Sequence, residues 1–157
     1  MAVFSQQTHI PAPLREVFDF HCNVENIGRV QPPGIRAEIQ TTKPVLEQGD
    51  VVDLKVTQWG VHHHWRIRVD RLVCRKDNKR ALLLDRALHS PFSFWLHRHE
   101  FFSEGQITRM RDVVDFEVVP GWLGWLAAIP VWLTFCIVFS VRHNRTRNFF
   151  RNKGKLQ

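Results

Sequence analysis

Two histidines set one residue apart carry the first chemical signal in this chain. They fall in "FSFWLHRHEFF", Phe92 to Phe102. A strand turns alternate side chains to opposite faces. Trp95, His97, His99 and Phe101 therefore share one face, and Arg98 and Glu100 share the other. In "TRMRDVVDFEVV" the same alternation sets Met110, Asp112, Val114 and Phe116 together, opposite Arg109, Arg111 and Asp115. Asp85 joins the inward set if Ala81, Leu83 and Ala87 of "ALLLDRAL" face in. A carboxylate buried among apolar groups needs a donor, and an imidazole N–H is a natural one. His97, His99 and Asp112 are thus candidates for an acid–base group, for polar anchors in an apolar pocket, or for a network that braces strands. The residue pattern leaves all three open.

Metal binding is the other chemistry that histidines suggest. His62, His63 and His64 add three further candidate ligands. In "VHHHWRIRVDRLV", however, His62 and His64 alternate away from Trp65, Ile67 and Val69, so they should face solvent and not meet His97 and His99. The pattern implies no metal site. Cys22, Cys74 and Cys136 are widely spaced and odd in number, which argues against a disulfide framework or a cysteine zinc site. There is no GxSxG, P-loop or GxGxxG, so nucleotide-dependent and serine-hydrolase chemistry lack support, and no cofactor is implied.

The elements that must position these residues can be read in order. The chain has 157 residues, 44% hydrophobic and 24% charged, enough for one domain, 1–157, with its own core. Residues 2–10 read as a first strand. "PAPLREVFDFHCNVENIGRV" reads as helical, with Pro13 in a first turn. "IRAEIQTT" and "VVDLKVTQW" alternate as strands, followed by the three already named and "ALLLDRAL". Pro120 and Gly121 then lead into one long apolar segment. The order is strand, two short helices, about six antiparallel strands, and a long helix: an α+β chain.

Charge is unevenly placed. The net charge is +7, and Arg142, Arg145, Arg147, Arg151, Lys153 and Lys155 supply six positive charges with no acid after Glu117. The body is close to neutral, which argues against a nucleic-acid surface. It leaves a basic tail from about residue 142 that suits an acidic ligand or an anionic membrane. Val118 to Val141 contains no charged residue and carries Trp122, Trp125 and Trp132. It is long enough to span a bilayer, but Pro130 interrupts it, and a helix apolar all round also suits a buried core. A peripheral membrane contact is the intermediate reading. The N-terminus has no basic start followed by an apolar run, so a signal peptide is not expected, and the location expected is cytoplasmic, with membrane association open.

Taken together, "IPAPLREVFDFH" with "VQPPGI", "LLLDRALHSPFSFWLHRHEF", "TRMRDVVDFEVVPGWLG" and "FSVRHNRTRNFF" resemble the SRPBCC superfamily, the START-like or polyketide-cyclase-like proteins. The resemblance covers nearly the whole chain. It is nearest the branch with PFxxWxHxHxF, which also occurs fused to epimerase-like domains. Ser90 departs from that branch's usual glycine before Pro91, and the last helix is unusually rich in Trp. The resemblance implies a helix-grip fold, a curved sheet wrapped around the long C-terminal helix with a cavity between them. It implies a hydrophobic or amphipathic, lipid-like or polyketide-like ligand. Trp65, Trp95, Phe101, Met110, Phe116 and Trp132 would enclose it, and Asp85, His97, His99 and Asp112 would orient it. The alternatives are a cofactor-independent cyclase or dehydratase using a pocket histidine, and a membrane-associated interaction protein. Oligomeric state is not legible.

Overall fold

The computed structural model describes residues 1–40, 43–58 and 60–154. Lys155, the last residue of "VVDLKVTQW" (Trp59) and the end of the "IRAEIQTT" segment lie outside the described residues. The elements are β1 (Ala2–Ile10), α1 (Leu14–Cys22), α2 (Glu25–Val30), β2 (Ile35–Gln40), β3 (Val51–Gln58), β4 (Val61–Cys74), β5 (Arg80–His89), β6 (Phe94–Glu104), β7 (Ile107–Glu117) and α3 (Trp122–Lys153). The strands form one antiparallel sheet in the order β1-β7-β6-β5-β4-β3-β2. α1 and α2 carry the chain from one edge of the sheet to the other. This is the α+β helix-grip architecture expected from the sequence.

Local chemistry explains the elements. Leu14, Val17 and Phe18 recur at helical spacing and are buried on α1. The β6–β7 hairpin closes on the pair Glu104 and Ile107, leaving the two-residue turn Gly105–Gln106. Gly105 has φ 74°, the left-handed region such a turn requires. The pairing of β4 with β5 slips between Arg66 and Ile67 and again between Val69 and Arg71. Such irregularities bend a strand and raise its twist. Asp70, at the second slip, receives Arg68 and Arg86 on the outer face.

The inner face carries two apolar clusters. One gathers Leu14, Phe18, Phe101, Met110 and Phe150 under α1. The other gathers Phe4, Val114, Phe116, Phe135 and Phe139 under α3. Phe4 of β1 meets Phe135 and Phe139 at ring-centroid distances of 5.7 and 5.0 Å.

The last helix differs from the sequence expectation in two ways. Its basic residues are not a tail. Arg142 to Lys153 continue α3 without a break, and His143, Thr146 and Phe150 within that stretch are buried. Nor is its apolar half wholly covered. Ala128, Phe135 and Phe139 are buried, but Trp122, Trp125 and Ile137 are 75%, 66% and 68% exposed.

Candidate functional site

Sheet register assembles the polar residues. His99 on β6 stands directly opposite Asp112 on β7, and His97 directly opposite Asp85 on β5. All four are buried. α3 adds a third imidazole, His143, whose Nε2–H donates to Asp112 Oδ2 at 2.5 Å. The other carboxylate oxygen, Oδ1, lies 2.5 Å from His99 Nδ1 and 3.3 Å from His97 Nε2. Neither of those ring nitrogens is aligned for a hydrogen bond, so His143 holds the one aligned bond of the three. One carboxylate therefore gathers three imidazoles from two elements and ties the helix to the sheet.

The electrostatics split the two carboxyls. Burial works against the Asp112 anion, but His99 and the contacts from His143 and His97 outweigh it and hold its pKa well below the usual carboxylate range. Asp85 has no comparable set of partners. Burial pushes its pKa up to about 6, with His99, Arg142 and the Trp95 indole pulling the other way. Burial likewise lowers His97 and His99, in each case against the pull of Asp112. His21 of α1 is lowered to about 3 by burial and by His99, whose ring centroid is 5.5 Å away. Its Nδ1–H donates to the Val17 carbonyl at 2.7 Å.

Beside this cluster, between sheet and α3, lies a cavity of about 270 Å³. Trp65, Phe92, Trp95, Leu54 and Val69 supply apolar wall, and Phe135, Val138 and Phe139 of α3 supply the facing side. Asp85, His97, His99, His21 and Arg142 supply polar wall. Trp65 and Trp95 meet edge to face at 5.0 Å.

Of the expected pocket residues, Trp65, Asp85, Trp95, His97 and His99 line this cavity, and five others do not. Phe101, Met110 and Phe116 share the inward face but are packed into the apolar clusters. Asp112 sits behind the histidines, 2% exposed. Trp132 lies outside, 42% exposed and edge-on to Phe4 at 5.8 Å. Sequence reasoning missed His143 and His21. His143 falls four residues after Phe139 and eight after Phe135, on the buried stripe of α3, and that spacing was the available signal.

Asp85, His97 and His99 each offer a ligand atom within 4.8 Å of the others, so these three could hold a cation. His62, His63 and His64 do not join them. His62 instead pairs with Thr57 Oγ1 at 2.8 Å.

Fold and site define a cup-shaped helix-grip protein with an apolar cavity and a histidine–carboxylate cluster in its wall. The polyketide cyclase/dehydrase and lipid transport family matches over residues 10–131, and the chain belongs to that family. Solved structures share the fold. The Zhui aromatase/cyclase from Streptomyces sp. R1128 is 18% identical, with TM-score 0.74, over 97% of this chain and 94% of that one. A Chromobacterium violaceum protein is 13% identical, with TM-score 0.69, over 96% and 98%. A major latex-like protein from Panax ginseng is 11% identical, with TM-score 0.59, over 95% and 97%. No curated protein matches the chain in sequence.

Proposed function

We propose that this chain binds a hydrophobic or amphipathic small molecule, lipid-like or polyketide-like, between sheet and α3. The observation that carries the reading is the composition of the cavity wall. It is mostly aromatic and aliphatic, with Asp85, His97, His99 and Arg142 placed among those groups. Small-molecule sites have this balance, apolar area for affinity and a few polar groups for orientation. Family membership supports the same class of ligand. Asp112, tied to α3 by His143, sets a buried negative charge behind His97 and His99.

A second reading is a cofactor-independent cyclase or dehydratase. It is favoured by the separation of the two carboxyls, Asp112 held low and Asp85 raised to about 6. Environments that push paired groups apart mark acid and base roles. His97 or His99 would take a proton from a bound substrate, and Asp85 would return one.

Native mass spectrometry of freshly purified protein, followed by organic extraction, tests the binding reading. The expected result is an adduct that extracts as an apolar compound and disappears in Leu54→Trp, which fills the cavity. An apo protein that also takes up no fatty acid or polycyclic aromatic probe would overturn it. Turnover is separated from binding by His97→Gln and His99→Gln. The catalytic reading requires that these variants keep affinity and lose product formation.

A further inference from the structure

We propose that the first half of α3 is a docking surface for an anionic lipid bilayer, lying in the membrane interface and not crossing it. Eight large apolar side chains between Trp122 and Ile137 are exposed: Trp122, Leu123, Trp125, Leu126, Ile129, Trp132, Leu133 and Ile137. At about 100° per residue they fall within roughly half of the helix circumference. The opposite side, marked by Gly124, Ala128, Phe135 and Phe139, is buried, and Phe135 and Phe139 pack against Phe4 of β1. The stripe is about 22 Å long at 1.5 Å per residue. Contiguous exposed apolar surface of this kind marks an interaction site.

A transmembrane role for this helix would break its packing against the sheet. A span would have to tear Phe135 and Phe139 from Phe4, and His143 from Asp112. An interfacial helix keeps those contacts and buries only the outer stripe. Tryptophan suits that depth, because its ring is apolar with one polar edge.

Charge selects the lipid. Continued along the same half of the helix, the apolar stripe gives way to Arg147 and Arg151, and no acidic residue follows Glu117. Arg145 and Arg151 are exposed, and Arg147 is half-buried. An anionic surface would meet apolar and basic portions together. A parallel second copy would not, because it sets arginine against arginine and the face carries no acid to compensate. The inference is independent of what fills the cavity.

The test is co-sedimentation of the full chain with phosphatidylcholine vesicles, with and without phosphatidylserine, read beside tryptophan quenching by brominated lipid. Binding is expected to require phosphatidylserine, to weaken with salt, and to quench Trp122 and Trp125 while Trp65 and Trp95 stay dark to the quencher. The double variant Trp125→Glu, Ile129→Glu changes only exposed positions and should abolish binding with an unchanged circular dichroism spectrum. Arg147→Gln and Arg151→Gln should each weaken binding about fivefold. Failure to bind phosphatidylserine vesicles overturns the proposal. So does a dimer in light scattering that Trp125→Glu dissociates, which would assign the face to a second copy. Equal binding to both vesicle types, unmoved by the arginine variants, would overturn the anionic selection.

Discussion

Asp85 should cost the protein stability, and the cost should switch on with pH. Its folded-state pKa is raised from 3.8 to about 6. Between those values the native state binds more protons than the unfolded chain, so stability falls as pH rises through the window. A displacement of about two units at about 1.36 kcal/mol each gives roughly 3 kcal/mol at pH 7 and above. Asp85→Asn has the same shape, still accepts from the Trp95 indole, and carries no charge at any pH. The substitution is therefore expected to stabilise by roughly 3 kcal/mol at pH 8 and by only about 0.5 kcal/mol at pH 4. For a domain of this size that is about 6–12 °C in Tm. Thermal unfolding of both proteins at the two pH values measures it. An equal shift at both pH values would refute the electrostatic reasoning, because the benefit would then be packing. A lower Tm at pH 8 would refute it too, since the carboxylate would then be well partnered. If Asp85 also orients a ligand, the more stable variant should be the weaker binder.

Other outcomes follow from the same geometry. Asp112→Ala leaves three buried imidazoles without their shared carboxylate and should cost about 3–5 kcal/mol in denaturant unfolding; Asp112→Asn, which keeps an acceptor, should cost less. His21, His97 and His99 are buried with lowered pKa values, His21 to about 3. In the Asp85→Asn background, where the opposing contribution is gone, stability should fall as pH drops below about 6.5, because the unfolded chain takes up protons first. Urea midpoints at pH 7 and pH 5 test that sign. Gly124 is 200° or so around α3 from Trp122, and a Cβ there would strike the Val119 carbonyl well inside contact distance. Gly124→Ala should displace the first turn of α3 and cost about 1–3 kcal/mol in thermal unfolding.

The strands were legible because their period is two. Alternation alone placed His97, His99 and Asp112 on one face with Trp95, and neighbouring inward faces on adjacent strands had to meet. The depth of the cavity was not legible. Phe101, Met110 and Phe116 share that face with the histidines, yet they sit where α1 and α3 press on the sheet, and periodicity says nothing of where two layers part. α3 was harder still. A segment without a charge from Val118 to Val141 has no polar face to set its phase. Trp132 could thus be read as inward when it is outward, and His143 went unnoticed beyond the apolar run. Arg142 to Lys153 looked like a tail because charge density suggests solvent. The buried spacing of His143, Thr146 and Phe150 shows a helix that keeps one side covered while its charges occupy the others.

The pairing of β5, β6 and β7 bears on how this chain tolerates changes of length. Asp85, His97, His99 and Asp112 meet because each stands directly across from its partner. Deleting one residue from the Gly105–Gln106 turn would move that pairing by one step and turn Asp112 outward together with Met110, Val114 and Phe116. No compensating substitution at a single position restores such a loss, so a deletion at this hairpin disrupts core and cluster at once. The hairpin between β4 and β5 is different. Lys76 to Lys79 is exposed, and residues added there leave every one of those four partners in place. Both turns lie at the same end of the sheet, since Arg80 pairs with Phe102, so length variation compatible with this site belongs to the β4–β5 turn and not to the β6–β7 turn beside it.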